Sequence, residues 1–532
     1  MALLQQRRYP VGIQTFEKIR KGRYVYVDKT DLVYQITQHS NYVFLARPRR
    51  FGKSLLVTTM KSFFEGRREL FKGLKIMALA EVWTPRPVFH LDLSTAKDKE
   101  SAEALRQALF LVLQPYVERY GKDPLETTPG TLLRGLLRRA HQQSKQQVVV
   151  LVDEYDAPLL DVLHEERVEE FRRIMQEFYQ PLKAADEDIH FCFITGITKF
   201  SQLSIFSTIN NISDVTLLPK FAAICGITEE EVFSLFSEDI QQLAQTQGCS
   251  EQTTKELLKS QYDGYHFASA SPDVYNPFSL LNCFNNEKVD SYWFGSGTPS
   301  FLIHQLQHFG TDITSLDDYE VTAEAFNVPT EAMTDALPIL YQSGYLTIKG
   351  YDQESDIFYL GIPNQEVRLG MTRGLIPFYT GLKATDVNTG FALLFWRALQ
   401  KNDIENALQR LQGYLAQLPY VEGFKKKLQE VATAEGFYEW TLYLIFSMLN
   451  VYVRTQVKCR GGRVDVLVKM AQVIYVIEIK LNGSAQQALE QINDKGYALP
   501  YQQDGRKTIK VGLSFSTATC SLDEWVFEDV CK

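Results

Sequence analysis

The sequence lacks the features of disulfide-rich, zinc-ribbon and membrane-spanning proteins. Its seven cysteines include no C-x-x-C pair, which disfavours both a disulfide framework and a zinc ribbon. No apolar run approaches the roughly 20 residues that a membrane span needs, and residues 1–8 contain no apolar core segment. We therefore expect a soluble, cytoplasmic protein with reduced thiols and no membrane partner.

An excess of basic residues is also missing. The chain has 56 Lys and Arg against 64 Asp and Glu, a formal net charge of -8. Binding nucleic acid through its phosphates needs a concentrated positive surface, so any such site must be local. Tandem repeats and low-complexity segments are absent. A chain of 532 residues that is 45% apolar should form about two to four domains.

Short apolar strands separated by amphipathic stretches dominate the first half of the chain. The helical spacing of residues 102–120 and 168–185 predicts crossover helices between strands. This alternation is typical of an α/β fold with a mostly parallel sheet. The expected strands are residues 42–45, 88–91, 148–152 and 191–195.

The pattern changes twice further along the chain, and we predict three domains over residues 1–225, 226–375 and 376–532. The middle domain is expected to be helical, with helices over 228–247 and 253–262 and a winged-helix-like module in its later part. The last domain carries an antiparallel strand pair and a following helix. Its expected elements are residues 464–468, 473–479, 485–497 and 510–515.

A phosphate-binding loop is predicted directly after the first strand. A P-loop needs amide groups that surround phosphate, a lysine for the β- and γ-phosphates and a Ser or Thr hydroxyl for the metal. Arg47 stands where the first glycine is usual, so the motif is degenerate, and the lysine could instead be an ordinary surface residue. The predicted nucleotide-binding residues of this loop are Arg50, Phe51, Gly52, Lys53 and Ser54.

Two carboxylates, Asp153 and Glu154, follow five apolar residues of a later strand. In a P-loop enzyme one such carboxylate holds Mg²⁺ and its neighbour polarises the attacking water. The alternative is a solvated pair that opens a loop. We expect Asp153, with Ser54, at the metal and Glu154 as a catalytic residue, with Thr198 or Lys199 near the γ-phosphate after the next strand.

A second set of polar residues lies in the C-terminal strand pair. If the two strands are antiparallel neighbours, Asp465 and Glu478 converge, and Glu478 and Lys480 project to one face because side chains alternate along a strand. Acidic oxygens that hold Mg²⁺, together with a cation beside the attacking water, are what phosphodiester cleavage requires. The alternative is an ordinary solvated sheet face.

Motifs along nearly the whole chain resemble those of bacterial AAA-ATPase-like proteins that carry a C-terminal PD-(D/E)XK nuclease-like domain. The motifs are Y-V-D-K-T at 26–30, R-P-R-R-F-G-K-S at 47–54, V-L-V-D-E-Y-D at 150–156, G-I-T-K-F-S at 196–201 and Y-D-G-Y-H-F at 262–267. The family's pattern includes arginine at the position of Arg47. The resemblance implies a P-loop ATPase fold followed by a restriction-endonuclease-like domain, closer to STAND-type and archaeal ATPases than to ring-forming unfoldases.

The resemblance also implies roles for C-terminal residues. Asp465 and Glu478 match the two acids and Lys480 the lysine, while the Ile479 carbonyl is a further metal ligand. Glu439 matches an additional acidic residue on the preceding helix, and Gln491 matches the following helix.

These observations favour an ATP-dependent enzyme. We expect ATP and Mg²⁺, or Mn²⁺, as cofactors, and ATP binding and hydrolysis that control a metal-dependent DNA nuclease acting in defence or on mobile DNA. The alternative is a STAND-like signalling or scaffold ATPase whose C-terminal domain binds nucleic acid or protein without cutting. A degenerate P-loop that binds nothing and a homo-oligomer both remain open.

Overall fold

The structure is a computed structural model. It describes residues 7–97, 99–160, 162–163, 165–199, 212–293, 305–306, 308–309, 311, 316, 319–328, 333–380, 394–395, 397–399, 401, 403–415, 442, 452–459, 462–470, 472–502, 504–516 and 521–530.

The chain divides into two compact units. The first unit contains residues 1–296 and 318–366, and the second contains residues 297–317 and 367–532. The predicted ATPase domain and most of the predicted middle domain thus fall in one unit. No helix of the described residues is long and apolar enough to cross a membrane.

A five-stranded parallel sheet forms the centre of the first unit and confirms the α/β prediction. Its strands run in the spatial order β2-β3-β4-β1-β5, and every neighbouring pair is parallel. Strands β1 and β3 are buried along their whole length, which explains why they are continuously apolar. The strands are β1 Tyr42–Ala46, β2 Val88–Asp92, β3 Val148–Asp153, β4 Ile189–Gly196 and β5 Ser213–Asp214.

Seven α-helices of the described residues accompany this sheet. Thr128 and Thr131 form a capping box at the start of α5, and Ser101 caps α4 through the backbone N–H of Ala104. Helices α4 to α7 and strands β1 to β4 bury a common core that includes Phe89 and Leu133. The helices are α1 Phe16–Lys21, α2 Thr30–Thr37, α3 Lys53–Phe64, α4 Ala102–Tyr120, α5 Pro129–Ser144, α6 Ala157–Leu160 and α7 Val168–Ala184.

The rest of the first unit is mainly helical, with a strand pair β6 Ile227–Thr228 and β7 Val274–Tyr275. The single helix expected over 228–247 is wrong, because Phe236 leaves the helical conformation at φ -115°, ψ 22° and divides it. The buried Phe236 ring stacks on Phe284 at 5.1 Å, so packing stabilises this break. The helices are α8 Glu229–Leu235, α9 Ser237–Gln247, α10 Glu251–Tyr262 and α11 Pro277–Asn286.

The last part of the first unit along the chain contains a three-stranded antiparallel sheet, whose strands lie in the order β8-β10-β9. Two short helices lie between its first two strands along the chain. The elements are β8 Tyr319–Val321, α12 Ala323–Phe326, α13 Leu337–Gln342, β9 Thr347–Asp352 and β10 Ile357–Gly361.

The second unit contains a five-stranded mixed sheet in the order β11-β12-β13-β14-β15, in which β13 and β14 are parallel and the other pairs antiparallel. A Cβ at Gly512 would lie 2.2 Å from the carbonyl oxygen of Ala485, so glycine permits the close approach of the helix that begins at Ala485 to the sheet. The strands are β11 Tyr452–Cys459, β12 Gly462–Lys469, β13 Val473–Leu481, β14 Lys507–Ser516 and β15 Ser521–Asp529. The helices are α14 Gln365–Thr380, within which the boundary between the units falls, α15 Ile404–Leu415 and α16 Ala485–Asp494.

Candidate functional site

The predicted phosphate loop connects β1 to α3. Gly52 precedes the helix with φ +93°, a conformation that favours glycine, and Lys53 is the first helical residue. The Lys53 ammonium is buried and donates to the backbone carbonyls of Arg47 and Pro48, at 3.0 Å each. Burial lowers the pKa of Lys53, and nearby acidic groups, of which Asp153 is the strongest, oppose this shift. The loop therefore holds a cation at the helix start, as an anion site requires.

The acidic pair lies at the carboxyl end of β3. Burial raises the pKa of Asp153, and a hydrogen bond with the Ser54 hydroxyl and the charge of Lys53 oppose this shift. Glu154 is partly buried and has φ +50°, which is unusual for a residue with a side chain. Burial also raises the pKa of Glu154. Hence Ser54, Asp153 and Glu154 converge on the phosphate loop, although the chain separates them by about a hundred residues.

Arg47 occupies the first-glycine position, yet it points away from the loop. The side chain is 1% exposed and donates to the carbonyls of Ala46 at 2.9 Å, Thr216 at 2.8 Å and Phe221 at 3.2 Å. Its guanidinium lies over the Phe267 ring, 4.4 Å from the centroid. Burial lowers the pKa of Arg47. Because φ at this position is not positive, the backbone does not require glycine.

Arg50 and Phe51, the last loop residues before Gly52, pack against aromatic residues of the first unit. Arg50 has φ +70° and places its guanidinium 3.9 Å from the centroid of Phe278. Phe51 is buried, and its ring packs edge-on against Tyr265 and Phe267 at 4.7 and 5.3 Å. The aromatic residues of the Y-D-G-Y-H-F motif therefore pack against the phosphate loop through Phe51.

The two residues expected at the γ-phosphate, Thr198 and Lys199, are bonded to other side chains of the first unit. The buried carboxylate of Asp156 accepts from the Thr198 backbone N–H and hydroxyl, both at 2.7 Å. The Lys199 ammonium pairs with Asp214, and its backbone N–H donates to Gln342 at 2.8 Å. Their role at the γ-phosphate stays a prediction.

An apolar cavity that is open to solvent adjoins the loop. Gly52 and Leu56 line it from the loop and α3, together with the N-terminal residues Tyr26 and Val27. Leu281 of α11 contributes from the helical part of the unit. An apolar space next to a phosphate loop has the character of a pocket for a planar heterocycle.

The second predicted centre lies on β12 and β13, which are antiparallel with Val466 opposite Ile477. This register places Asp465 near Glu478. One Asp465 oxygen accepts from the backbone N–H of Ile479 at 2.8 Å, and the other accepts from the Gln456 amide at 3.3 Å. The side chains that sequence spacing predicted to converge do so.

Lys480 and Gln491 surround Glu478. The Lys480 ammonium lies 3.7 Å from Glu478 Oε1 and donates to Gln491 Oε1 at 2.6 Å, while the Gln491 amide donates to Glu478 Oε1. Glu478 is 2% exposed, and its Oε2 is buried without a hydrogen-bond partner among the described residues. Burial raises the pKa of Glu478 to about 8, the Asp465 charge adds to this and Lys480 opposes it. A divalent cation would compensate these buried carboxylates, so the residues fit Mg²⁺.

The structure does not place every acidic residue that was expected at the second centre. Glu439 lies outside the described residues. Within the described part of the chain, no group of three or more His, Cys, Asp or Glu side chains is placed to hold a metal, so this centre offers two carboxylates and the Ile479 carbonyl.

Sequence reasoning missed three supporting residues: Arg47 as a core residue, Asp156 as the anchor of the Thr198 loop, and Gln456 as a partner of Asp465. Asp156 ends the quoted V-L-V-D-E-Y-D motif, which was the available signal. Nothing in the sequence separated Gln456 from other polar strand residues.

Comparisons with known proteins match the two parts of the chain that contain the candidate centres. A family model described as AAA-ATPase_like, "Predicted AAA-ATPase", matches residues 10–206, and one described as "PD-(D/E)XK nuclease superfamily" matches residues 433–525. An uncharacterized protein in the vnfD 5' region of Azotobacter chroococcum mcd 1 is 31% identical over 537 residues, covering 99% of this chain and all of the relative.

The structure of the Aeropyrum pernix ORC2 protein in ADPNP-ADP complexes is 11% identical, covers 65% of this chain and 90% of its own, and has a TM-score of 0.25, too low to bear on function. With both family models in place and a relative matched end to end, the chain belongs to a family that joins a predicted AAA-ATPase domain to a C-terminal PD-(D/E)XK nuclease superfamily domain.

Proposed function

We propose that this protein binds and hydrolyses ATP in its first unit, and that ATP controls a Mg²⁺-dependent DNA nuclease in its second unit. The observation that carries the nuclease proposal is the buried Glu478 carboxylate, which lies beside Asp465 and Lys480 and whose Oε2 has no hydrogen-bond partner in the described part of the chain. Burying two carboxyl groups lowers the stability of the folded chain, so their presence favours a catalytic role.

ATP binding uses groups already arranged around the loop. Lys53 exchanges its bonds to the Arg47 and Pro48 carbonyls for bonds to phosphate oxygens, and the loop amides contact the remaining oxygens. The base enters the apolar cavity beside Gly52. Ser54 and Asp153 would hold a Mg²⁺ ion, which supplies positive charge to the phosphates.

Hydrolysis needs a group that accepts a proton from water. Glu154 directly follows the proposed metal ligand, and burial raises its pKa above the usual value, which makes it a stronger base. Thr198 and Lys199 are the proposed sensors of the γ-phosphate. Sensing would require exchange of their present partners, Asp156 and Asp214.

In the nuclease centre, Asp465, Glu478 and the Ile479 carbonyl would hold Mg²⁺, which supplies charge to the scissile phosphate. Lys480 orients the attacking water and stabilises negative charge. Gln491 holds both Lys480 and Glu478 in position through its amide. Glu439 is proposed as a further acid.

The test is cleavage of supercoiled and linear DNA by the full chain with Mg²⁺ or Mn²⁺, with and without ATP. We expect cleavage that Asp465→Asn and Lys480→Ala abolish. Asp494→Asn, which removes an exposed carboxylate of α16, is the matched control and should cleave normally. Control by ATP predicts that Lys53→Ala changes the cleavage rate. Unaltered cleavage by Asp465→Asn would refute the assignment.

A second candidate is a scaffold or signalling ATPase whose C-terminal domain binds without cutting. The presence of only two carboxylates among the described residues of the centre, both bonded within the protein, favours it. Metal-independent DNA binding without cleavage under every nucleotide condition would establish this alternative.

A further inference from the structure

The Y-V-D-K-T motif at residues 26–30 contributes to the cavity beside the phosphate loop. Tyr26, Val27 and Lys29 line this cavity, and Gly52 of the loop lines it as well. Among the described residues that line it, Lys29 is the single charged one, and most of the others are apolar. A lysine ammonium only donates hydrogen bonds, and burying it among apolar groups is unfavourable unless acceptors are present.

The motif is fastened to the protein on both sides of Lys29. Asp28 accepts from the backbone N–H and the hydroxyl of Thr30, at 3.0 and 2.6 Å, and from the backbone N–H of Lys75 at 2.8 Å. The Thr30 hydroxyl accepts from the backbone N–H of Ile76 at 3.1 Å. These bonds fix the backbone from which the Lys29 side chain extends, so the fold sets the position of Lys29 at the cavity.

The Lys29 ammonium has one partner among the described residues. It donates to Glu231 Oε2 at 2.6 Å, and Glu231 also accepts from the backbone N–H of Thr228 in the capping box of α8. The Lys29 side chain is only 11% exposed. Burial lowers the pKa of Lys29, and the charge of Glu231 opposes this shift. Because an ammonium carries three N–H donors, two of them remain for an acceptor in the cavity.

We infer that Lys29 is a specificity-determining residue of the nucleotide site, where it donates a hydrogen bond to a ring nitrogen of the adenine base. This inference rests on the proposed binding of ATP, and it needs neither hydrolysis nor the nuclease. Gly52 and Lys29 line one cavity, so a nucleotide whose phosphates contact the loop places its base in the space that Lys29 borders. A base that presents C–H instead of an acceptor leaves a buried donor unpaired, and the site rejects it.

The alternative is that the ion pair between Lys29 and Glu231 only joins the motif to α8. A purely structural ion pair would affect the affinity for every adenine nucleotide by the same factor. A hydrogen bond to the base affects only those nucleotides that carry the acceptor. The two roles therefore differ in a ratio of affinities.

The test measures the Kd of ATP and of 1-deaza-, 3-deaza- and 7-deaza-ATP with the full chain by titration calorimetry. Each analogue replaces one ring nitrogen of adenine with C–H. We expect one of them to bind about 10-fold or more weakly than ATP, because it removes the acceptor of a charged donor. Equal affinities for ATP and all three analogues would overturn the inference, whether or not any variant folds.

Lys29→Met keeps most of the side-chain length and removes the ammonium. It should bind ATP about 10-fold or more weakly, and it should no longer distinguish ATP from the analogue that the unmodified chain rejects. The ratio of the two affinities within one variant does not depend on the fraction of folded protein. A Lys29→Met variant that still rejects the same analogue by the same factor would overturn the inference.

Two further variants separate base recognition from the ion pair. Glu231→Gln removes the ion pair but keeps an acceptor for Lys29, so it should still reject the analogue. Lys75→Met, at an exposed lysine paired with Asp31, is the matched control and should bind all four nucleotides as the unmodified chain does. Loss of discrimination in Glu231→Gln equal to that in Lys29→Met would overturn the direct role of Lys29.

Failure of the proposed function gives a different result. If the folded, unmodified chain does not bind ATP, the proposed nucleotide site is refuted and this inference with it. If ATP binds and the analogues bind equally well, the nucleotide site stands and only the role of Lys29 is refuted.

Discussion

Replacing Arg47 with the glycine that a standard P-loop carries should destabilise the first unit. The arginine donates three hydrogen bonds to the carbonyls of Ala46, Thr216 and Phe221 and stacks on Phe267. Bonds from a charged donor contribute about 1.5–3 kcal/mol each, and a desolvated stack about 2 kcal/mol. The cost of burying the guanidinium offsets several kcal/mol of this gain.

The net loss in Arg47→Gly should be about 3–5 kcal/mol, because buried carbonyls lose their donor and the side chain leaves a cavity. The entropy of unfolding is about 2.1 cal/mol/K per residue, so in a unit as large as the first one the transition should fall by about 5 °C. Differential scanning calorimetry of the full chain can separate this transition from that of the second unit.

Two variants control this measurement. Arg47→Met keeps much of the volume but leaves the carbonyls unpaired, and should lie between the unmodified chain and Arg47→Gly. Arg49→Ala removes the exposed arginine two residues away and should change the Tm little. If Arg47→Gly melts like the unmodified protein, the guanidinium is not a core element and the present account of the degenerate loop is wrong.

Three further predictions concern other buried charges. Lys53→Ala should weaken ATP binding at least about 30-fold, measured by titration calorimetry, because it removes the buried cation of the phosphate loop. Burial raises the pKa of Asp263 to about 6 from 3.8, so its neutral form stabilises the fold below pH 3.8 and that stability is lost as the pH rises through 6. Asp263→Asn should therefore be more stable than the unmodified chain by up to about 3 kcal/mol above pH 6, and a difference that persists unchanged below pH 4 would contradict this origin. Glu478→Gln should abolish DNA cleavage yet stabilise the second unit by on the order of 2 kcal/mol at pH 7, since it replaces a carboxyl whose ionised form burial disfavours; a less stable variant in thermal unfolding would refute this account.

Local patterns predicted much of the fold and indicated the residues proposed for both candidate centres. Continuous apolar runs predicted the buried strands β1 and β3, because a parallel strand covered on both faces has no polar side. Period-two alternation placed Glu478 and Lys480 on one face of β13, and the structure brings them within 3.7 Å. The helix break at Phe236 was not predicted. It depends on the packing of the Phe236 ring on Phe284, and the spacing of apolar residues does not reveal that contact.

The sequence by itself determined the alternation of strands and helices, the residue types of both centres and the departure from a standard P-loop at Arg47. Only the tertiary structure decided where the Arg47 side chain goes, since its partners Thr216 and Phe221 are distant in sequence. The same applies to Asp156, whose bonds to Thr198 depend on the neighbouring positions of β3 and β4. Residue type and spacing are local properties, whereas burial and hydrogen-bond partners arise from segments that the fold brings together, and these set the charge state and availability of each side chain.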